Sequence, residues 1–329
     1  MRSLPSFLLI VAAFVSSLFL AQSDVARAQA NYPNRPIQLV VTVPPGGAAD
    51  IVARLIGSKL SDAVGQPVII NNRGGAGGTT AAAQVAKSDP DGYTLLLNTI
   101  ATHGIGPHIY ANLGYDPVKD FSPVILIAKL PLIMAINAEL PASTVNDVIA
   151  LAKAKPGELS FSSAGTGGAP HLAGEMFKNL TGTELLHVPY RGSGPAVIDL
   201  IAGRITMMFD ATPSLLPHIT AGKLRPMAAA SPQRHRLLPD VPSFGELGLP
   251  GMDIALWYGV VAPGGTPAPI VQRLNAELAK IVDMPDVRKS LTEQGADMQG
   301  GSAEDFGAFM RNESARWSVV VTQAGIKRE

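Results

Sequence analysis

The chain contains no cysteine in 329 residues, so no disulfide can hold its fold and no lipid can be attached through a thiol. It has no surplus of either charge, with 26 Lys and Arg against 26 Asp and Glu. That balance provides no basic footprint for nucleic acid and no acidic block of the kind that stays disordered. Beyond the first 30 residues there is no run of 18 apolar side chains, which excludes a later membrane-spanning helix.

The familiar catalytic signatures are also missing. No G-x-x-x-x-G-K-[ST] marks a P-loop, no G-x-G-x-x-G a dinucleotide site, no H-E-x-x-H a zinc protease and no G-x-S-x-G a hydrolase elbow. His103 and His108 are five apart across Gly104, Gly106 and Pro107, which is poor spacing for two ligands on one helix. Ser163 and His171 can be drawn as a nucleophile and base, but no acid partner can be assigned. The reading is therefore not an enzyme, with neither metal nor cofactor.

What is present begins with a leader. Arg2 is followed by a 14-residue apolar run, Phe7–Leu20, and then by the small-residue site Ala28-Gln29-Ala30. This is the pattern of a secretory signal peptide over residues 1–30, cut after about Ala30; the alternative is a membrane anchor, for which the run is short. The mature chain is then exported, periplasmic and stabilised by its core alone.

From residue 37 the pattern alternates. Strand-like Ile37–Val43, Pro67–Asn71 and Tyr93–Asn98 are separated by helix-like Ala48–Val64 and Gly78–Lys87. Tyr93–Asn98 lacks polar alternation, as a parallel strand buried on both faces does. The order recurs with strands at Leu159–Ser162, Leu185–Val188 and Ile205–Phe209 and helices at Pro170–Leu180 and Pro195–Ala202. A further strand, Ile254–Val261, leads to helices at Ile270–Ile281, 286–294 and 303–321. Two units of strand, Gly-rich loop and helix predict an α/β protein of two similar domains. The chain crosses between them near Leu130–Ile136 and Ile254–Gly259, giving a discontinuous first domain (31–131 and 257–329) and a second (132–256).

Each unit opens on a glycine-rich loop before a helix. In the first, Pro45, Gly46, Gly47 and Ala48 lead into a helix with Asp50 in its first turn; in the second, Ser163, Gly165, Thr166 and Gly167 precede Pro170. A helix N-terminus presents unpaired N–H groups and partial positive charge, and glycine lets an anion approach the backbone. The alternative is a pair of ordinary strand–helix turns. Further polar residues stand at strand ends: Thr99, Thr102 and His103 after one strand, Tyr190 and Arg191 after another, and Asp210 after a third. Arg191 could pair with a carboxylate and Tyr190 flank it, or each could serve the structure alone.

The segments YPNRPIQLVVTVPPGGAAD, NNRGGAGG, KSDPDGYTLLL, THGIGPHIY, YDPVKDFSPV, FSSAGTGGAPHLAGE, HVPYRGSGPAVIDLIAGRI and VAPGGTPAPIVQRLN run through nearly the whole mature chain. In these it resembles the Bug family, the periplasmic solute-binding proteins of tripartite tricarboxylate transporters. The resemblance implies a two-domain periplasmic-binding-protein (Venus-flytrap) fold, each domain a central sheet flanked by helices. It implies that Gly46, Gly47 and Ala48 face a ligand carboxylate from one domain and Ser163, Gly165 and Gly167 from the other, while Asp210 and Thr99–His103 read the rest of the ligand. Thr166 and His171 fall within the same matching segments. It further implies a small organic carboxylate as ligand and a membrane permease pair as partner. The chain is expected to be a monomer, and the sequence is also compatible with a ligand-dependent sensor acting on a signalling partner. Gly104 and Gly106 depart from the family pattern, which carries Ala and Asn there, and so predict a looser loop. In Gly47→Val a branched side chain would fill the approach to the loop amides. Ligand affinity should collapse while the circular dichroism spectrum stays unchanged; unaltered affinity would remove the opening loop from the site.

Overall fold

The computed structural model describes residues 32–43, 45, 46, 48–323 and 325. The leader reading, and the positions of Pro44 and Gly47, lie outside these residues. β1 (Ile37–Val41) is buried at four of its five positions. It is followed by α1 (Ala48–Val64), whose buried stripe is Ala49, Val52, Ala53, Ile56 and Leu60. Ile51 lies outside that stripe and is exposed, because small alanines at three-to-four spacing bring the helix close to the sheet.

β2 (Val68–Asn72), α2 (Thr79–Ala86) and β3 (Thr94–Thr99) complete the first unit. β1 pairs parallel with both β2 and β3. The other side of β3 pairs antiparallel with β9 (Ala255–Pro263). The unbroken apolar character of β3 therefore marks a central strand of a mixed sheet rather than of an all-parallel one.

β4 (Phe121–Asn137) is a 17-residue strand that serves two sheets. Up to Pro131 it pairs antiparallel with β9, and its far side takes β10 (Asp297–Gly300). From Leu132 it pairs antiparallel with β7 (Met207–Ala211) and β8 (Leu224–Ala229). Pro123 and Pro131 disguise this strand in the sequence. Pro123 borders a register shift, where a missing donor is tolerated, and Pro131 sits where the strand changes sheets.

The second unit contains β5 (Ser160–Ser163), α5 (Ala169–Thr181), β6 (Leu186–Pro189), α6 (Ser193–Ile201), β7 and α7 (Thr212–Thr220), with β5 parallel to β6 and β7. Before it comes α4 (Val145–Ala154), which the apolar spacing did not reveal. Its signal is the capping box of Thr144 and Asp147. At the C-terminus, α8 (Ala268–Asp283) packs on α1 and β4, α9 (Pro285–Thr292) on α8, and α10 (Ala303–Gln323) on β4. Among the described residues no helix is long and apolar enough to cross a membrane.

The registers determine how the strand ends are aimed. β4 and β3 are both antiparallel to β9, so β4 runs in the direction of β1–β3. Beyond the crossing it meets β7 head to tail, with Leu132 opposite Ala211 and Ile136 opposite Met207. The carboxyl ends of β5–β7 therefore point back towards the carboxyl ends of β1–β3, across the stretch where β4 changes partners.

Gly259 lies in the middle of β9, where an added Cβ would come within 2.1 Å of the buried Phe306 ring. Gly259→Ala should destabilise the protein by about 1–3 kcal/mol through overpacking. The expected result in urea is a lowered midpoint with an unchanged slope.

Candidate functional site

The site is built from the facing strand ends. On the first side, Gly46 has a left-handed φ of 92° and donates its N–H to Asp50 Oδ2 at 2.9 Å. The same oxygen accepts from Arg54 Nε, and Oδ1 accepts from Asn72 Nδ2, both at 2.9 Å. Asn72 also donates to the carbonyl of Val43. Burial by itself would push the Asp50 carboxyl up, but the donors from Arg54, Gly46 and Asn72 outweigh it and hold the group below its ordinary value. Asp50 is thus committed to bracing the loop, and what the loop shows to solvent is Pro45 and Gly46, with Ala48 half-buried. Gly47 lies outside the described residues.

Gly78 (φ 87°) comes so close to this loop that a Cβ would stand 2.5 Å from Thr42 and 3.2 Å from Thr102. Thr99 ends β3, and a single π-helical turn, Ile100–Ile105, follows. Thr102 Oγ1 accepts the N–H of Thr99 at 3.1 Å. Thr99 and Thr102 therefore belong to the wall that the opening loop forms. His103 does not. Its ring is buried edge-on to Phe121 at 4.6 Å, and it lines a cavity of about 80 Å³ beneath α10 with Pro117, Pro123 and Met310. Burial pushes His103 down to about 3. Gly104 and Gly106 do not loosen the segment either. Gly104 packs on Trp317, and a Cβ on Gly106 would lie 2.5 Å from the Ala101 carbonyl oxygen.

On the second side, the loop after β5 forms one hydrogen-bonded cluster. Ser163 Oγ donates to the carbonyl of Gly165 at 2.9 Å and lies 2.7 Å from His187 Nε2. Gly165 and Gly167 have φ values of 146° and 76°, and Gly167 donates its N–H to His171 Nδ1 at 3.0 Å. Tyr190 N–H donates to the Ser163 carbonyl, and its hydroxyl donates to Asp199. Thr166 and Arg191 are exposed. It is His187, not His171, that meets Ser163, and no carboxylate accepts a hydrogen bond from His187 among the described residues. The two sides meet where Gly167 would carry a Cβ 2.2 Å from Ile109, in the short helix α3 (Gly106–Ile109).

Asp210 stands at the crossing, on β7 opposite Ile133. Its Oδ1 accepts the Ala211 N–H at 2.8 Å, while the buried Oδ2 has no hydrogen-bond partner. Burial pushes its carboxyl up, opposed by Ser193, Ala211 and Ser214; neither serine closes a hydrogen bond to Oδ2. Tyr258 is paired in register with Thr99 and Ala128. Burial raises its phenol above the ordinary range, and the Asp210 charge adds to that. Tyr258, Ser193, Ser214 and His187 gave no signal in the sequence, since each lies inside an apolar strand or an ordinary helix start.

Among the described residues, four helices begin at these strand ends without a side-chain cap: α2 after Gly78, α5 after Gly168, α6 after Gly192 and α7 after Ala211. Such N-termini suit an anion. No group of three or more His, Asp or Glu able to hold a metal ion occurs among the described residues.

Asp50→Ala would strand the loop donors and should cost about 1–3 kcal/mol at neutral pH. Because the folded carboxyl titrates below its ordinary value, this stabilisation is present above about pH 4 and is lost as the pH falls through the folded value. The difference between wild type and variant in thermal unfolding should therefore shrink on acidification; a pH-independent difference would show that the brace does not depend on charge.

Residues 52–326 match the model of the tripartite tricarboxylate transporter family receptor, TctC. The chain is 41% identical over 293 residues to the UPF0065 protein in the tcbD-tcbE intergenic region of Pseudomonas sp. (strain P51), covering 89% of this chain and 87% of that one. It is 36% identical over 316 residues to the protein BugT of Bordetella pertussis (strain Tohama I), covering 95% and 97%. Among solved structures it resembles R. palustris Rpa4515 with adipate, with a TM-score of 0.85, 39% identity and coverage of 91% and 100%. It also resembles MatC from Rhodopseudomonas palustris with bound malate (0.80, 34%, 88% and 100%) and the periplasmic binding protein BugD (0.82, 32%, 91% and 100%). The fold is thus that of the periplasmic binding proteins, and the family is one of solute receptors rather than enzymes. With five-sixths of its length matched, the chain belongs to the tripartite tricarboxylate transporter receptor family, the TctC or Bug proteins.

Proposed function

We propose that this chain is a periplasmic receptor that captures a small organic carboxylate between two domains and delivers it to the permease subunits of a tripartite tricarboxylate-type transporter. The domains are 31–131 with 257–329, and 132–256, and they close about the crossings of β4 and β9. The observation that carries this reading is the opposition of two sets of strand carboxyl ends, each bearing uncapped helix N-termini and glycine-rich loops. Each helix end contributes about 0.3–1 kcal/mol where exposed and up to about 2 where partly buried. Micromolar binding, about −8 kcal/mol, therefore needs several such ends together with domain closure.

In this proposal the backbone around Gly46 to Ala48 and that of Ser163 to Gly167 hold one carboxylate. Asp210, raised by burial and with Oδ2 unpaired, offers a hydrogen bond to the distal end of the ligand, beside Tyr258 and Thr99. The adipate and malate in two neighbours at 39% and 34% identity favour a dicarboxylate over an aromatic acid.

The test is a thermal-shift panel of dicarboxylates, tricarboxylates, acidic amino acids and aromatic acids on protein refolded once to remove carried-over ligand. A ligand at 100 times its dissociation constant should add about 2.7 kcal/mol of stability. A rise confined to dicarboxylates is expected. A flat response across all carboxylates from folded protein would overturn the assignment.

A further inference from the structure

Behind the second loop lies a group that the ligand reading does not use. The rings of His171, on α5, and His187, on β6, stack with centroids 3.9 Å apart and planes 15° from parallel. Phe161 lies beside the pair, its ring centroid 4.9 Å from that of His187 and 6.3 Å from that of His171. Each histidine holds the loop at a different point. His171 Nδ1 accepts the Gly167 N–H, so its proton is on Nε2, which faces Glu175 at 3.8 Å. Ser163 Oγ gives its hydrogen to the Gly165 carbonyl, so His187 Nε2, 2.7 Å away, is the donor to Ser163. The loop between these two anchors has left-handed backbone at Gly165 and Gly167. Gly167 leaves no room for a side chain against Ile109, so the loop tolerates little displacement.

We infer that His171 and His187 form a neutral stacked pair that positions the Ser163–Gly167 loop, His187 through Ser163 and His171 through Gly167, and that the loop keeps its binding shape only while both rings are uncharged. The inference rests on that loop being the ligand loop proposed above. Protonating His171 at Nδ1 turns the acceptor of the Gly167 N–H into a donor. Protonating both rings places like charges 3.9 Å apart. The charged groups facing the pair are Glu175 and Lys178, both on α5, and Lys178 already spends its ammonium on Glu175 at 2.8 Å. Burial pushes both histidines down to about 4, with Lys178 adding to this for His171, and His171 followed by Lys178 for His187, against an opposing pull from Glu175. The sign follows. The neutral rings cost nothing above the ordinary histidine value of about 6.5, and the native loop loses ground as the pH falls from there through about 4.

Two measurements test this. In ligand-free protein, the Gly165 and Gly167 amide resonances should shift together with the imidazole titration near pH 4, and the Gly167 shift should vanish in His171→Asn, whose Oδ1 keeps an acceptor that does not titrate. Adipate titrations then compare wild type with His171→Asn/His187→Gln, in which the glutamine amide replaces the Nε2–H donor. Each protein is referred to its own affinity at pH 7, where His187→Ala binds roughly tenfold more weakly than wild type, about 1.4 kcal/mol. Between pH 6 and pH 4 wild type should lose roughly fourfold more affinity than the double variant, a factor of about two for each half-protonated ring; adipate protonation is common to both. Loop amides indifferent to pH near 4, or a double variant with the wild-type pH profile, would overturn the inference. Failure of every form to bind adipate would count against the dicarboxylate reading, and the amide titration would still decide the histidine pair.

Discussion

Everything else in this molecule depends on one long strand. β4 hydrogen-bonds to β9 over its first two-thirds and to β7 and β8 over the remainder, so two sheets share a single continuous backbone. Because β4 runs with β3 but against β7, the parallel strands of one sheet are aimed at those of the other. A strand that had turned back at Pro131 would have left the two sets of strand ends unopposed. The polar ends of the strands and the starts of the helices would then face solvent separately.

The opposition explains why both sides spend glycine in the same way. Gly46, Gly78, Gly165 and Gly167 all have positive φ, and two of them sit where any side chain would strike the neighbouring wall. The support behind each loop is different. The first is held by a carboxylate, Asp50, whose oxygens are filled by Gly46, Arg54 and Asn72. The second is held by two imidazoles. A charged brace and a neutral one respond to acid at different points, the carboxylate below its ordinary value and the histidines well below theirs.

The C-terminal helix ties the crossing down from outside. The indoles of Trp257, on β9, and Trp317, on α10, both donate to Glu313 Oε2 at 3.0 Å. Trp317 also packs against Gly104 in the π-helical turn. One half-buried carboxylate therefore links a crossing strand to the wall that carries Thr99 and Thr102.

The sequence by itself determined the α/β alternation, the extent of α1 and the position of both glycine loops, because apolar period and glycine placement are local properties of the chain. Its ordered segments also sufficed to identify the family. Only the tertiary structure decided that β3 is flanked by an antiparallel strand, that Pro123 and Pro131 lie inside a strand, and that His103 turns into the core beneath α10. It alone decided that Ser163 meets His187, 24 residues away, instead of His171. A strand's neighbours and a side chain's direction depend on residues far along the chain, and no local period encodes them. Tyr258 illustrates the limit: in the run ALWYGVV it reads as core, and only the fold brings it into register with Thr99 and near Asp210.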